Sequence, residues 1–216
     1  MKEGQKEIYF ITADGYAAAK NSPHLEIFSR LGVEVLLLHD RIDEWVVSSL
    51  PEFDGKSLRS AAARDLDLSA LGGDAPKADD TAAGEHAVLL ERLQRALGER
   101  ASEVRVTNRL TESPACLVSN DSGISNNLGR ILKAAGQAAP SGAPVLEVNP
   151  GHPVVKRLAE ENDPARFADW SQILFDQATL AEGGQLEDPA GFVRRLNELM
   201  LTLAGAAPSR LWTPGT

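Results

Sequence analysis

Hydrophobic and polar residues in the first third of the chain form two kinds of segment. Residues 7–13 and 33–38 are almost continuously apolar, which predicts strands that are covered on both faces. Residues 23–32 and 42–50 have apolar side chains three or four positions apart, which predicts helices. We therefore expect a small α/β unit (strand, helix, strand, helix) built around a parallel sheet.

The pattern changes at residues 72–84, which contain almost no large apolar side chain and predict a linker. After it, Leu89, Leu93 and Leu97 recur at helical spacing and predict an amphipathic helix over 85–97. Short strands are predicted at 102–110, 115–118 and 144–148, and further helices at 122–135 and 152–161. This arrangement is typical of an α+β domain with a short three-stranded sheet.

Two Asp-Pro pairs, at 163–164 and 188–189, mark the starts of two more helices. Asp accepts backbone N–H groups at the N-cap and Pro fits the first helical position. The first helix should end at Gly183 and Gly184, and the second near Gly205. The predicted organisation is an α/β unit over 1–71, a linker over 72–84, a second domain over 85–206 and a frayed tail over 207–216.

The two C-terminal helices carry apolar side chains on more sides than two helices can cover for each other. Part of this surface must pack on the chain's own domain. The surplus predicts contact with a second copy, since two such helix pairs related by two-fold symmetry form a four-helix bundle. The predicted dimer interface consists of Phe192, Leu196, Leu199, Met200 and Leu203 in the last helix and Leu174 in the preceding one.

Composition and charge argue against several classes of partner. The 216 residues are 43% apolar and carry a net charge of −9, whereas a nucleic-acid-binding protein needs a basic patch. No apolar run reaches the roughly 18–20 residues that span a bilayer, and no signal-peptide pattern is visible. The single cysteine, Cys116, cannot form an internal disulfide, which suits a reducing cytoplasm. We expect a cytoplasmic protein with no nucleic-acid partner and no membrane partner.

The sequence contains no catalytic motif of the P-loop, dinucleotide-binding or nucleophile-elbow type. Cys116 lies in a predicted strand and is expected to be a buried structural thiol. The histidines are expected to be caps or surface residues rather than metal ligands: His24, His39, His86 and His152. Asp14 and Asp40 follow the two predicted strands of the first unit, where open α/β sheets bind ligands. An enzyme that binds a nucleotide or sugar there is one hypothesis, and the other is a turn at Asp14 and a helix cap at Asp40.

Two apolar features, one side chain and one helix face, could contact another polypeptide. Trp45 lies at the edge of the core stripe predicted for its helix, which consists of Ile42, Val46 and Leu50. The tryptophan either packs in the α/β unit or anchors a partner. The helix predicted at 122–135 has an aliphatic stripe of Ile124, Leu128, Ile131 and Leu132. That stripe either packs on the three-stranded sheet or remains exposed for a partner.

The first third of the chain also resembles a known family. The blocks IYFITADGYAAAKNSPHLE at residues 8–26 and LGVEVLLLHDRIDEW at residues 31–45 are similar to the end of the middle domain of the heat-shock-protein-90 chaperones, in their bacterial HtpG-type branch. The motif RLTESPA at residues 109–115 resembles one in the family's C-terminal domain. The resemblance extends from Glu7 to about Leu203. It implies that Met1 is an internal methionine and that this chain is the C-terminal piece of a longer protein.

The resemblance implies a function as well. The family comprises ATP-dependent chaperones of the stress response, which bind unfolded or partly folded client proteins and dimerise through a C-terminal four-helix bundle. ATP and magnesium would bind upstream, so this chain is expected to have no cofactor and no enzymatic activity of its own. The helix bearing Ile124 and Leu128, together with Trp45, would hold clients. Most relatives have methionine at the positions of Ile124 and Leu128. The final residues lack the acidic ending of eukaryotic relatives, so no tetratricopeptide-repeat co-chaperone is expected.

Overall fold

The structure of the protein is a computed structural model, and it describes residues 1–2, 4–64, 66, 68, 71, 84–119 and 142–203. These residues form two small sheets, each with helices packed on it and each with its own apolar core. The helix predicted at 122–135, nearly all of the linker and the tail after residue 203 lie outside the described residues.

The first sheet has four strands in the order β2-β1-β4-β3. Its strands are β1 (Glu7–Thr12), β2 (Val35–Leu38), β3 (Glu52–Phe53) and β4 (Lys56–Ser60). Strand β1 is parallel to both β2 and β4, which confirms the predicted parallel sheet. A turn at residues 53–56 connects β3 and β4 as an antiparallel hairpin, with Asp54 and Gly55 at positive φ.

Three helices and a 3₁₀ turn accompany this sheet: α1 (Tyr16–Lys20), the turn Pro23–Leu25, α2 (Glu26–Leu31) and α3 (Asp43–Ser49). Gly32 ends α2 in the left-handed conformation at φ 65°, as its position in the sequence indicates. Tyr9 of β1 packs on Phe28 of α2 with ring centroids 4.8 Å apart. The buried core around this pair includes Ile11, Ala19, Ile27, Leu31 and Val33.

Two predictions for this unit are wrong. Strand β2 lies at the edge of the sheet, and Leu36 is 50% exposed, so β2 is not covered on both faces. The stripe of Ile42, Val46 and Leu50 is exposed rather than buried, and the side chain that α3 turns inward is Glu44, 3% exposed. Strand β2 has a neighbouring strand on one side only, and α3 is short. Apolar side chains in both are therefore more exposed to solvent than they would be in a central element.

The second sheet has three strands, as the sequence predicts, and their order is β5-β7-β6. The helix α4 (Ala87–Leu97) precedes β5 (Glu103–Val106), β6 (Ala115–Val118) and β7 (Val145–Val148). The central strand β7 is parallel to β5 and antiparallel to β6. All residues of β6 and β7 are buried, whereas β5 is shorter than the predicted 102–110 segment.

Three helices follow the sheet: α5 (Pro153–Ala159), α6 (Pro164–Ala181) and α7 (Pro189–Leu203). Both predicted Asp-Pro starts are confirmed. Asp163 accepts the N–H groups of Ala165 and Arg166 at 2.9 and 3.1 Å, and Asp188 accepts that of Gly191 at 2.8 Å. Among the described helices, none is long and apolar enough to cross a bilayer.

The core of this unit joins α4, the sheet, α5 and α6. The predicted leucines Leu89, Leu93 and Leu97 of α4 all lie in it, against Leu146 of β7 and Phe167 of α6 in the same cluster. The periodicity of α4 therefore identifies its buried face correctly.

Leu93 is fully buried, so Leu93→Ala should lower the free energy of unfolding by about 2–5 kcal/mol through lost burial and a cavity. Val88 on the same helix is 72% exposed, and Val88→Ala should change that free energy by less than about 0.5 kcal/mol. Urea denaturation followed by circular dichroism measures both. Equal losses for the two variants would contradict the assigned face of α4.

Candidate functional site

The exposed apolar face of α3 is the first candidate interaction surface. We define the α3 surface as Ile42, Trp45, Val46 and Leu50, which are 64%, 48%, 45% and 41% exposed. Hydrogen bonds fix the start of the helix, since Asp43 accepts the N–H of Asp40 at 2.9 Å and donates its own N–H to the Asp40 carbonyl. A tryptophan amid exposed aliphatic side chains can contact apolar segments of another polypeptide.

The other predicted client-binding residues, Ile124, Leu128, Ile131 and Leu132, lie outside the described residues. The structure therefore neither brings them together with Trp45 nor separates them from it.

The second candidate surface lies on α7. Val193 and Met200, seven positions apart and thus on one face of the helix, are 52% and 55% exposed. Phe192, Leu196 and Leu199 are partly exposed, and these five residues form what we call the α7 surface. The side chain of Leu203 lies outside the described part of the chain.

Leu174, the remaining residue of the predicted dimer interface, lies in the interior. It is 2% exposed and belongs to the core cluster of its own chain. The helix α6 packs on both α4 and β6, so its apolar face is used within the protomer. A partner could therefore contact α7 directly, but not Leu174.

A buried carboxylate holds α7 in place. Asp176 of α6 is 2% exposed and accepts hydrogen bonds from Arg100 at 2.5 Å and from Arg195 of α7 at 3.0 Å. Two guanidinium groups compensate one buried negative charge, which would otherwise be costly in the interior. The pair with Arg195 fixes the position of α7, and therefore of the α7 surface, relative to α6.

Several polar contacts join the two sheet units in the described part of the chain, and we call three groups of them the junction. In the first, the carboxylate of Glu26 in α2 binds the loop between β5 and β6. Its Oε2 accepts the N–H groups of Thr111 and Glu112 at 2.5 and 2.8 Å, and its Oε1 accepts that of Ser113 at 3.0 Å. Burial raises the pKa of Glu26, but the hydrogen bonds from the Ser113 side chain and from these N–H groups outweigh it and lower the pKa.

In the second group, His24 reaches the end of α6. Its Nε2 lies 3.0 Å from Oε1 of Glu182, and the same oxygen accepts the N–H of Leu117 in β6 at 2.7 Å. His24 is 2% exposed, so the prediction of a cap or surface residue is wrong for it. His152 does cap a helix, since it accepts the N–H of Val154 at 3.2 Å.

The third group is built on Glu147 of β7, which is 1% exposed. Arg105 and Arg109 each donate to its carboxylate, with an Nε to oxygen distance of 3.0 Å in both cases. The same guanidinium groups also donate to the first unit, to the carbonyl oxygens of Arg64 and Ala63, both at 3.1 Å. Glu147 therefore orients two arginines that bridge the units.

Sequence reasoning missed Glu26, Glu147 and Asp176. A signal existed for Glu147, since it is a charged residue inside the otherwise apolar strand Val145–Val148. A charge in a strand buried on both faces indicates a paired, structural carboxylate. Glu26 and Asp176 lie in helices with no comparable signal.

Cys116 is a buried thiol, as predicted. It is fully buried, and its Sγ lies 3.8 Å from Oε2 of Glu147, to which it donates. Burial raises the pKa of the thiol well above its ordinary value, and the carboxylates of Glu147 and Glu182 raise it further. The reactive thiolate form is therefore disfavoured at neutral pH.

Asp14 and Asp40 lie at the carboxyl ends of β1 and β2, and both are exposed. The predicted cap at Asp40 is wrong, because the side chain that accepts an N–H at the start of α3 belongs to Asp43. Within the part of the chain that the structure describes, no three His, Cys, Asp or Glu residues are grouped as metal ligands would be.

The sequence matches known proteins over nearly its whole length. A family model described as Hsp90 protein matches residues 1–211. The chaperone protein HtpG of Aromatoleum aromaticum is 58% identical over 208 residues, which cover 96% of this chain and 32% of the relative. The HtpG proteins of Dechloromonas aromatica and Chromobacterium violaceum are each 58% identical over 205 residues. In both cases these residues cover 94% of this chain and 32% of the relative. The chain spans about a third of the length of the curated relatives it matches.

The junction generates a pH prediction. Because the pKa of Glu26 is lower in the folded than in the unfolded chain, its contribution to stability is present above the unfolded pKa. It is lost as the pH falls through the lowered folded pKa. Glu26→Gln should therefore destabilise the chain at neutral pH and approach the parent's stability in acid. Urea unfolding across pH measures the difference.

Glu99→Gln, an exposed carboxylate in the 3₁₀ turn after α4, is the matched control and should follow the parent at every pH. A gap between Glu26→Gln and the parent that stays constant from neutral to acidic pH would show that the Glu26 charge contributes nothing.

Proposed function

Because the chain belongs to the Hsp90 protein family, we propose that it forms the dimerisation and client-binding part of an ATP-dependent, HtpG-type molecular chaperone. The observation that supports this best is the pair of exposed apolar surfaces on α3 and α7. Scattered exposed apolar side chains are ordinary, but adjacent ones on one helix face are typical of interaction sites. Relatives with 58% identity are named chaperone protein HtpG. Chaperones act on other polypeptides, and exposed apolar surfaces suit that role.

The α3 surface is the proposed contact for unfolded or partly folded clients. Its members are a tryptophan and three branched aliphatic residues, which offer apolar area and no charge of their own. A surface of this kind binds apolar segments that a folded protein would bury, and so distinguishes unfolded from folded chains. We propose that Ile124, Leu128, Ile131 and Leu132 extend the client contact.

The α7 surface is the proposed homodimer interface. Phe192, Leu196 and Leu199 are half-buried in the protomer, in which α7 packs on α6, and Met200 is more exposed. Two α6–α7 pairs related by a two-fold axis would form a four-helix bundle, with α7 packed on its copy and Leu203 extending the seam. Permanent interfaces of this type bury on the order of 2,000 Å² or more.

The remaining expectations complete the proposal. The domains are 1–71 and 85–206, separated by a linker, and the chain acts in the cytoplasm. ATP and magnesium bind elsewhere in the longer protein, so this chain itself has no catalytic residue, cofactor or metal. Its partners are a second copy and client polypeptides, without nucleic acid, membrane or tetratricopeptide-repeat co-chaperones. Nothing among the described residues favours a nucleotide- or sugar-binding enzyme at Asp14 and Asp40.

The dimer prediction places charges in the proposed seam. Leu196→Glu combined with Leu199→Glu should give monomers, because an unpaired buried carboxylate costs several kcal/mol and raises the dissociation constant by roughly two orders of magnitude or more. Multi-angle light scattering measures the mass. Val88→Glu with Val154→Glu, two exposed positions on α4 and α5, adds the same charge and should remain dimeric.

A folded double variant that stays dimeric at micromolar concentration would place the interface elsewhere. Circular dichroism establishes that the variant is folded, and Met200→Glu alone, at a position 55% exposed in the protomer, tests the seam without touching the core.

The client prediction concerns Trp45. Trp45→Ser removes an aromatic anchor, and such a loss costs about 1–2 kcal/mol, so the dissociation constant for an unfolded polypeptide should rise roughly 5- to 30-fold. Fluorescence anisotropy of a labelled, permanently unfolded protein measures it. Val88→Ser, which also removes an exposed apolar side chain, should leave affinity unchanged.

Leu128→Ser with Leu132→Ser tests the second part of the client surface in the same assay. Unchanged affinity in Trp45→Ser and in this double variant together would refute client binding at these residues.

A further inference from the structure

The contact between Glu26 and residues 111–113 has the form of a binding site with its ligand in place. Three consecutive backbone N–H groups, from Thr111, Glu112 and Ser113, point at one carboxylate, and Thr111 Oγ1 adds a contact at 3.3 Å. Successive N–H groups that converge in this way make a concave anion site. The loop belongs to the second sheet unit and the carboxylate to the first.

The loop takes its acceptor from outside itself. Residues 111–113 lie between β5 and β6, beyond the registers that pair either strand with β7. Their N–H groups therefore do not pair with β7 and are available to a carboxylate from another part of the chain. Glu26 supplies both oxygens, from the first residue of α2, and the shift of its pKa to lower values agrees with a carboxylate stabilised in its charged form.

We propose that residues 111–113 form a carboxylate receptor whose ligand is Glu26, and that this contact is a latch that fixes the orientation of the first sheet unit on the second. The other junction contacts, through His24 and through Arg105 and Arg109, remain when Glu26 is removed. They keep the units attached. Without Glu26 the units therefore remain joined but lose the contact that ties α2 to the second unit.

The receptor is open enough for an external ligand to be tested. Thr111 and Glu112 are exposed and Glu26 is partly exposed, so a small carboxylate in solution can reach the N–H groups once the Glu26 side chain is gone. Glu26→Ala should therefore create an empty receptor that binds acetate. Acetamide has the same shape without the charge and is the matched control ligand.

The experiment measures the distance between the two units in the full 216-residue chain. Spin labels on Lys20→Cys and Glu160→Cys, both exposed and on different units, report it by double electron–electron resonance. Labelled chain is diluted with excess unlabelled chain so that only distances within one protomer are seen. Cys116 is fully buried and does not react with the label.

The parent and Glu99→Ala should each give one narrow distance distribution. Glu26→Ala should give a broad distribution instead. Sodium acetate should restore the narrow distribution, whereas acetamide and sodium chloride of equal ionic strength should not. In the same variant the amide resonances of Thr111, Glu112 and Ser113 should shift upfield and return on addition of acetate. Glu26→Gln, which keeps the side-chain volume without the charge, should also broaden the distribution.

A narrow distribution in Glu26→Ala, with circular dichroism equal to that of the parent, would overturn the latch. Restoration by acetamide as well as acetate would overturn the receptor. Neither outcome depends on dimerisation or on client binding.

Discussion

The pairing of Glu147 is the constraint on which the attachment of the two units depends. A carboxylate in the middle of a buried strand must be compensated, and removing one partner of such a buried pair costs about 3–5 kcal/mol. Arg105 and Arg109 provide the compensation, and each guanidinium has further N–H groups that donate to other acceptors. Both extend to the carbonyl oxygens of Ala63 and Arg64, so the charge at the centre of the second sheet determines where the first unit attaches.

Carboxylates recur among the polar contacts that hold one element against another in the described part of the chain. Glu26 accepts hydrogen bonds from backbone N–H groups, and Glu147 and Asp176 pair with guanidinium groups. Glu182 contacts an imidazole nitrogen and accepts a hydrogen bond from a backbone N–H. These contacts are directional, so they define position more sharply than apolar packing does. The apolar residues of α3 and α7 have the complementary property, since they remain exposed within the protomer. In the proposed chaperone, the polar contacts orient surfaces whose partners are other chains.

How much of this was predictable differs from element to element for physical reasons. The Asp-Pro starts and the leucine spacing of α4 depend on neighbours within a few positions, and the sequence identifies them correctly. The exposed face of α3 was predicted as core, because periodicity finds an apolar stripe without telling what covers it. The burial of His24 depends on Glu182, 158 positions away, and Leu174 is buried by elements that its own helix does not reveal. Contacts between distant residues leave no periodic pattern, so only the single charge at Glu147 gave a local sign of the junction.

We infer that buried and half-buried carboxylates hold the two sheet units in one fixed orientation. Residual dipolar couplings of backbone amides in weakly aligned solution test it most directly, because they report the orientation of each unit independently. The amides of β1 and β4 and those of β6 and β7 should fit a single alignment tensor with the orientation seen here. Two tensors of different magnitude or direction in the unaltered chain would show that the units move independently, and would contradict it.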